Sequence, residues 1–206
     1  ADEKRKHVEA EAERIGREAA ETNAIAEEAE RDLGVALPAL NKAMAEVDKL
    51  QKGDISEVKA YSKPPTLVVT TMAAVMTLFK GKTDWTSGKA KLMEVDFLQQ
   101  VKTFDKDSVS NKTLNQIKKF TTKADFNPIK VGGVSKAAGA LCTWVCAIRL
   151  YCEVFRTVAP KKAALKKAMS SLRVKQEALA KSKAELQEVS EKVAALQAKF
   201  DQSVGE

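Results

Sequence analysis

Apolar and small side chains recur with a seven-residue period through the first quarter of the chain. One set of seam positions runs from Ala12 to Val47 and the other from Val8 to Leu50, each at intervals of seven residues without a break. A heptad repeat of this kind lets two α-helices wrap around each other as a coiled coil. The seam therefore predicts that residues 1–52 form one strand of a coiled coil.

A second seven-residue ladder occupies the last third of the chain. Its members are Ala137, Trp144, Tyr151, Val158, Leu165, Leu172, Leu179, Leu186, Val193 and Phe200. The companion residues change from four positions on to three positions on near Pro160, which indicates a phase adjustment in the seam. Because two heptad arms flank a central segment, we expect residues 137–206 to form the second strand of an antiparallel pair within one chain.

Each arm contains one proline, Pro38 in the first and Pro160 in the second. The apolar pattern continues on both sides of each proline. A proline inside a helix removes one backbone hydrogen bond and crowds the preceding turn. We therefore expect Pro38 and Pro160 to kink the strands of the coiled coil without ending them.

The central segment, residues 53–136, has short apolar stretches separated by helix-breaking residues. Pro64 and Pro65 separate the first two stretches, Gly81 ends the second, and Pro128 opens the last. Aromatic residues at helical spacing are assigned to a small core: Trp85, Phe97, Phe104, Phe120, Phe126 and Trp144. The predicted fold is all-α, with an antiparallel two-stranded coiled coil capped by a small globular bundle of five to six short helices.

Charge is distributed unevenly between these three segments. Residues 1–52 carry 9 Lys+Arg against 13 Asp+Glu, residues 53–136 carry 14 against 8, and residues 137–206 carry 12 against 7. The net charges of −4, +6 and +5 favour pairing of the two arms and an acidic partner for the centre. A nucleic-acid partner is not expected, because the central segment lacks a basic region with aromatic stacking platforms.

The three cysteines, Cys142, Cys146 and Cys152, lie in one apolar helical stretch. A structural zinc site needs four nitrogen or sulfur ligands, and the only histidine, His7, lies far away at the N-terminus. We therefore assign the cysteines to core packing and expect no metal and no cofactor. An odd number of cysteines without a signal peptide favours a reducing, cytoplasmic compartment.

Two further classes of function are disfavoured by the sequence. The tripeptide GKT at Gly81 to Thr83 lacks the second glycine of a phosphate-binding loop, because the position five residues earlier is Met76 inside an apolar helix. No carboxylate pair falls in an evident pocket, so no enzyme activity is expected of this chain. No stretch approaches the roughly 18 uninterrupted apolar residues of a membrane helix, so no membrane partner is expected.

Five stretches carry a resemblance that covers roughly residues 40–168. In chain order they read GDISEVKAYSKPP, TMAAVMTLFKGKTDW, FLQQVKTFDKDSVS, ADFNPIKVGGVSKAAGALCTWVCAIRLY and VAPKKAAL. The ordered set resembles the stalk and microtubule-binding domain of dynein heavy chains, and the heptad arms correspond to the two strands of the stalk. KAYSKPP and FDKDSVS are more similar to axonemal than to cytoplasmic heavy chains.

The resemblance implies the setting and the partner. It implies a location in the cytoskeleton, in the axoneme of a cilium or flagellum, and a microtubule of α/β-tubulin as the partner. The parent motor is then an ATPase, whereas this part of it is not catalytic. Because both arms stop in the middle of a heptad and no motor ring is present, the chain is expected to be a fragment.

The resemblance also nominates the residues that contact the filament. It implies that the first short helix, the turn region after the second and the helix opened by Pro128 form the filament-facing side. The matching positions are Lys52, Lys59, Lys63, Lys89, Lys130 and Lys136. Gly132 and Gly133 depart from the family pattern, and each costs about 1 kcal/mol relative to alanine in a helix. Lys130 is therefore expected to be presented less firmly than its counterparts.

Signalling along the stalk is implied to occur by sliding of one strand against the other. Because many seam positions are alanine, threonine, serine or lysine, a shift of half a heptad forfeits little packing energy. The alternative interpretation is a stand-alone helical coiled-coil adaptor that dimerises through its arms and binds protein partners. A stalk predicts instead a monomer with an intramolecular coiled coil.

Overall fold

A computed structural model describes residues 2–205 of the chain. The helices, in chain order, are α1 (Asp2–Asp48), α2 (Lys52–Ala60), α3 (Thr66–Leu78), α4 (Trp85–Met93), α5 (Phe97–Lys102), α6 (Asn111–Thr121), α7 (Pro128–Val134) and α8 (Lys136–Val204). A single turn of 3₁₀ helix, Lys106–Ser108, lies between α5 and α6. Residues 2–205 contain no β-strand, so the predicted all-α class is confirmed.

One compact unit consists of residues 2–30 of α1 and residues 159–204 of α8, with residue 205 following the helix. Ion pairs join the two helices, among them Lys4–Glu185 at 4.0 Å, Glu18–Lys175 at 2.8 Å and Glu28–Lys161 at 2.7 Å. Partner numbers fall along α8 as they rise along α1. The two helices are therefore antiparallel, as the paired heptad arms predicted.

The seam between these two helices is made of the heptad positions. Val8, Ile15 and Ala29 of α1 are buried. The ladder of α8 is half-buried from Leu165 to Leu186 at each seventh residue, whereas Val193, Leu196 and Phe200 are 55%, 66% and 62% exposed. On α1 the larger buried side chains, Val8 and Ile15, are followed by the small Ala29, so this helix contributes little side-chain volume to the seam.

The second compact unit comprises residues 31–158 and contains helices α2 to α7. Helix α3 is central in it, because it contacts α4, α6 and α7. Trp144, Phe97 and Met72 are the largest fully buried side chains. The six aromatics assigned to the core from the sequence all belong to it: Phe97, Phe126 and Trp144 are buried, and Trp85, Phe104 and Phe120 pack against them half-buried.

The short helices begin where capping residues supply acceptors for the first free backbone N–H groups. The carboxylate of Asp84 accepts from the Ser87 N–H at 2.9 Å, and the Ser110 hydroxyl accepts from the Thr113 N–H at 3.1 Å. Pro128 takes the first position of α7, where its missing N–H costs nothing. These capping residues place the starts of α4, α6 and α7, in agreement with the short helices predicted for the central segment.

Both prolines of the arms lie inside continuous helices. Helix α1 runs through Pro38 and α8 runs through Pro160 without ending. The kinks expected at these positions stay a prediction. The second unit reaches beyond residues 53–136, because residues such as Val47 on α1 and Ile148 on α8 join its buried cluster.

One stretch of α8 is long and apolar enough to cross a membrane by composition. Its mean hydropathy is 1.4, although it contains no uninterrupted apolar run of about 18 residues. Of this stretch, 56% is buried inside the protein. The first part of α8 supplies much of the core of the second unit, including Leu141, Trp144 and Ile148. Core packing therefore accounts for the apolar character of this stretch.

Candidate functional site

Helix α2 carries two of the nominated lysines, and a third follows it. Its N-terminus is closed by a reciprocal pair of contacts, in which the Gln51 N–H donates to the Asp54 carboxylate at 2.8 Å. Ile55 and Val58 are buried, so the opposite face of the helix is turned outward. Lys52 and Lys63 are exposed and Lys59 is half-buried.

The chain leaves α2 in an extended conformation because of the double proline. Tyr61, the residue after the helix, has φ −63° and ψ 117°, and Pro65 immediately before α3 has φ −58° and ψ 146°. A residue that precedes proline is held out of the helical region. Lys63 therefore lies in a short, conformationally restricted corner between α2 and α3.

Helix α4 brings a fourth nominated lysine, Lys89, to the element that carries Lys59. Helices α2 and α4 contact each other. Helix α4 also approaches α3 closely at Gly88, where an added Cβ would lie 3.3 Å from the Cβ of Met72. Lys89 is half-buried beside this contact.

The remaining two nominated lysines are paired with carboxylates. Lys130 on α7 lies 3.4 Å from Asp125 in the preceding loop. Lys136, the first residue of α8, lies 3.6 Å from Asp54 on α2. The second pair joins the start of α8 to the start of α2, whereas Lys130 contacts its own segment.

The nominated lysines therefore fall into two electrostatic groups. Among residues 2–205, no carboxylate forms an ion pair with Lys52, Lys59, Lys63 or Lys89. Lys130 and Lys136 are partly neutralised within the chain. Helix contacts and the Lys136–Asp54 pair connect the elements that carry Lys52, Lys59, Lys89 and Lys136.

Helix α7 packs on α8 through two glycines. The Cα of Gly132 lies so near Gly139 that a Cβ added to Gly139 would stand 2.5 Å from it. Gly133 has open space instead of a neighbour. Gly132 was expected from the sequence to weaken α7, but in the structure it permits a close contact with α8. Helix α7 is continuous through both Gly132 and Gly133.

A polar network fixes the junction between α4 and α5. Lys91 contacts Glu94 at 2.9 Å, and Gln100 donates to the same carboxylate at 2.7 Å. The hydrogen bond from Lys91, followed by that from Gln100, lowers the pKa of Glu94 below its ordinary value. The Lys91 ammonium also lies 4.7 Å from the centre of the Phe79 ring. This lysine is therefore committed to internal contacts.

A second group of lysines in the second unit was not predicted from the sequence. Lys80, Lys112, Lys119 and Lys123 line one open groove beside α3 and α6. Part of the signal was present in α6, since Lys112 and Lys119 are seven residues apart and share one helix face, whereas Lys123 follows the end of the helix. Lys80 gave no such signal, because it reaches the groove only through the fold.

The three cysteines are free thiols in the core of the second unit. Burial raises the pKa of the Cys152 thiol to about 11. The hydrogen bond between Cys142 and Cys146 raises the pKa of the first thiol and lowers that of the second. Within the part of the chain that the structure describes, no cluster of three or more His, Cys, Asp or Glu residues is arranged to hold a metal ion.

Comparison with known proteins gives one consistent family. A family model described as the microtubule-binding stalk of dynein motor matches residues 2–206. The chain is 42% identical over 178 residues to dynein axonemal heavy chain 2 of Homo sapiens, which covers 86% of the chain and 4% of that protein. It is 45% identical over 137 residues to the dynein-1-beta heavy chain of the flagellar inner arm I1 complex of Chlamydomonas reinhardtii, covering 66% of the chain and 3% of that protein.

A solved structure shows the same fold. It is described as the microtubule binding domain of dynein-c and superposes with a TM-score of 0.56 at 33% sequence identity. The match covers 65% of this chain and 95% of that one. The chain thus spans a small part of the heavy chains that it matches, but nearly the whole of a separately solved domain.

Proposed function

Because this chain belongs to the family of microtubule-binding stalks of dynein motors, we propose that its second unit, residues 31–158, binds α/β-tubulin through the nominated lysines. Lys52, Lys59, Lys63 and Lys89 form the primary contact. The observation that supports this most is the absence of ion pairs at these four residues among residues 2–205. Lys59, Lys63 and Lys89 also lie in the segment 53–136, whose net charge is +6. Unpaired lysines at a surface attract an acidic polymer and speed the encounter with it.

Lys130 and Lys136 act differently in this proposal. Each exchanges its internal carboxylate, Asp125 or Asp54, for one on tubulin when the filament is bound. An exposed ion pair is worth at most about 1 kcal/mol, so the exchange has a small energetic barrier. These two residues therefore contribute less affinity than the four unpaired lysines.

The tip communicates with the rest of the motor by sliding of α1 against α8 between registers. Alanine at many buried seam positions supports this, since Ala29, Ala36 and Ala43 make shallow knobs. A shift of half a heptad then forfeits packing on the order of one or two leucine contacts. Affinity for the filament must differ between registers, and by thermodynamic linkage filament binding then also shifts the register.

The axoneme of a cilium or flagellum is the proposed setting, because the relatives are named as axonemal or flagellar heavy chains. The stalk is not catalytic, and the ATPase activity of the parent motor lies in its motor ring. No nucleic acid and no membrane takes part in this function.

Co-sedimentation with microtubules tests the binding function. We expect the chain to pellet with microtubules at low salt and to be released progressively between about 50 and about 200 mM salt, because the contacts are exposed charges. An equal mass of duplex DNA should not displace it. Failure to pellet at low salt, or displacement by DNA, would contradict the proposal.

Sedimentation equilibrium distinguishes the stalk from the alternative adaptor. The ion pairs between α1 and α8 lie within one chain, which favours a monomer. We expect the mass of one chain, 22.4 kDa, across a concentration series. A dimer held by the arms would favour the adaptor instead.

A further inference from the structure

The second unit contains a basic groove that none of the six nominated lysines lines. The C-terminal end of α3 and the length of α6 border an open cavity of about 680 Å³. Lys80, Lys112, Lys119 and Lys123 line it together with the side chains of Thr83 and Gln116. We call this cavity the α3–α6 groove.

Local structure determines which lysines of α6 reach the groove. Leu114 and Ile117 are buried, so α6 faces the core on that side. Lys118 lies outside the lining and pairs with Glu153 at 3.2 Å. Lys112 and Lys119 share a different face of α6, because side chains seven residues apart lie one above the other. Lys123 lies in the bend just after α6 ends at Thr121 and also lines the groove.

Lys80 enters the groove from the end of α3. Its φ of 58° is the one positive value among the non-glycine residues of the described chain. A left-handed residue of this kind costs roughly 1 to 2 kcal/mol, which the surrounding contacts must offset. The Gly81 N–H that follows donates to the Met76 carbonyl at 2.9 Å, so the turn is fixed from both sides. Lys80 is therefore held at the groove by the backbone.

The groove is positively charged without internal compensation. Its lining contains no aspartate or glutamate, and none of its four lysines forms an ion pair with residues 2–205. The Lys123 ammonium lies 5.8 Å from the centre of the Phe120 ring. Four like charges around one concave surface repel each other, so an anionic ligand would stabilise the arrangement.

We propose that the α3–α6 groove binds an acidic, extended peptide segment with closely spaced carboxylates. The rise of an α-helix places Lys112 and Lys119 about 10 Å apart along α6. Lys123 follows Lys119 by four residues, just past the end of the helix. Carboxylates on one side of an extended peptide repeat about every 7 Å. Alternate glutamates of such a peptide can therefore reach successive lysines. The Gln116 amide and the Thr83 hydroxyl offer hydrogen bonds to its backbone.

A nucleic acid fits the same groove less well. Single strands bind through aromatic platforms on which bases stack. Phe120 is the only aromatic side chain of the groove lining in the described residues, and it is half-buried with Lys123 beside its ring. The cations are all lysines, which lack the planar fork with which arginine grips phosphate. An acidic peptide is therefore the ligand that the groove favours.

Fluorescence anisotropy with a labelled peptide of about ten glutamates, about 33 Å long when extended, tests this. The double variant Lys119→Glu with Lys123→Glu should bind the peptide at least about tenfold more weakly than the parent chain at about 50 mM salt. The variant Lys166→Glu with Lys167→Glu carries the same change of net charge on exposed α8 positions and should bind within about twofold of the parent.

The result can be separated from that of the proposed function. Reversal of Lys59 and Lys63 should leave peptide affinity within about twofold of the parent. An equal loss of peptide affinity in the Lys119 and Lys123 variant and in the Lys166 and Lys167 variant would mean that only net charge matters. That result would overturn the proposal. A single-stranded oligonucleotide of equal charge that binds more tightly than the peptide would overturn it as well.

A folding control keeps the test decisive. The far-ultraviolet circular dichroism spectrum of the Lys119→Glu with Lys123→Glu variant should match that of the parent chain. If it does not, Lys119→Gln with Lys123→Gln removes the charge without introducing carboxylates beside Lys112. That variant should lose at least about threefold in peptide affinity. Unchanged affinity in a folded glutamine variant would contradict the assignment of the groove.

Discussion

At the scale of single residues, the close approach of α7 to α8 depends on Gly139. It is buried, and an added Cβ would stand 2.5 Å from the Cα and 2.9 Å from the N of Gly132. Both are backbone atoms, so they cannot move aside as the end of a flexible side chain can. The sequence pattern had indicated only that glycine weakens α7, because the contact joins two helices and is invisible in either one alone.

We predict opposite effects for alanine at two of these glycines. Gly139→Ala should lower the free energy of unfolding by about 1 to 3 kcal/mol, because the methyl group forces α7 away from α8. Gly133→Ala should raise it by up to about 1 kcal/mol, because the position is open and alanine favours a helix. Urea unfolding followed by circular dichroism measures both. A Gly139→Ala chain as stable as the parent would show that the contact is not tight.

The buried thiol of Cys152 predicts a loss of stability in alkaline solution. Its pKa is raised by burial from 9.0 to about 11, so between these pH values the unfolded chain releases the proton while the folded chain keeps it. This contribution is fully present below pH 9 and is lost as the pH rises through about 11. At pH 11 the loss of unfolding free energy amounts to about 2 kcal/mol.

Cys152→Ala isolates that contribution. The fall in unfolding free energy from pH 7 to pH 11 should be smaller in the variant than in the parent by about 2 kcal/mol. Urea unfolding at the two pH values provides the comparison, and every other side chain is common to the two proteins. An identical fall in the two proteins would show that Cys152 ionises normally in the folded state.

At the scale of helices, the seam of α1 is the element on which the proposed sliding depends. The heptad pattern predicted its course correctly, because the period of a coiled coil is local in sequence. Ala29, Ala36 and Ala43 are buried, while Val8 and Ile15 supply larger contacts. A seam with many alanines buries little apolar area against its partner helix, so it has a low packing energy to lose when the register changes.

Leucine in the seam should hold α1 and α8 in one register. Spin labels carried by non-natural amino acids at the exposed positions Glu13 and Ala180 report the distance between the helices' outer faces. The parent should give two distance populations related by a slide of about 5 Å, half a heptad. Replacement of Ala19, Ala26 and Ala29 by leucine should leave one population and raise the unfolding temperature.

A matched variant controls for leucine content. Ala10, Ala20 and Ala24 are exposed on α1, so their replacement by leucine should leave both distance populations in place. One population in the parent chain would exclude spontaneous sliding in this segment. Two populations in the seam variant would show that alanine is not what permits it.

Several parts of the element plan were predictable and others were not. Short helices with caps such as Asp84 and Ser110 follow from local sequence, as does the corner at Pro64 and Pro65. The pairs Lys136–Asp54 and Lys118–Glu153 do not, because each joins residues far apart in the chain. For the same reason the sequence could nominate lysines by resemblance but could not show which were already paired.

At the scale of the whole molecule, charge connects the fold to its function. Residues 53–136 carry 14 Lys+Arg against 8 Asp+Glu, and most of these lysines lie in internal pairs, in the α3–α6 groove or in the nominated set. We therefore expect an acidic partner to be attracted mainly by the unpaired lysines. This makes the unpaired lysines of α2 and its following corner the most informative positions to change.

Microtubule co-sedimentation of the variant Lys59→Glu with Lys63→Glu tests the central claim most directly. Both side chains lack an internal ion pair, so their reversal should leave the circular dichroism spectrum and the unfolding temperature close to those of the parent. We predict a loss of at least about tenfold in microtubule affinity at low salt, while the charge-matched variant Lys166→Glu with Lys167→Glu stays within about twofold. Undiminished pelleting of the Lys59 and Lys63 variant would contradict the account, because the filament would then be bound by another surface.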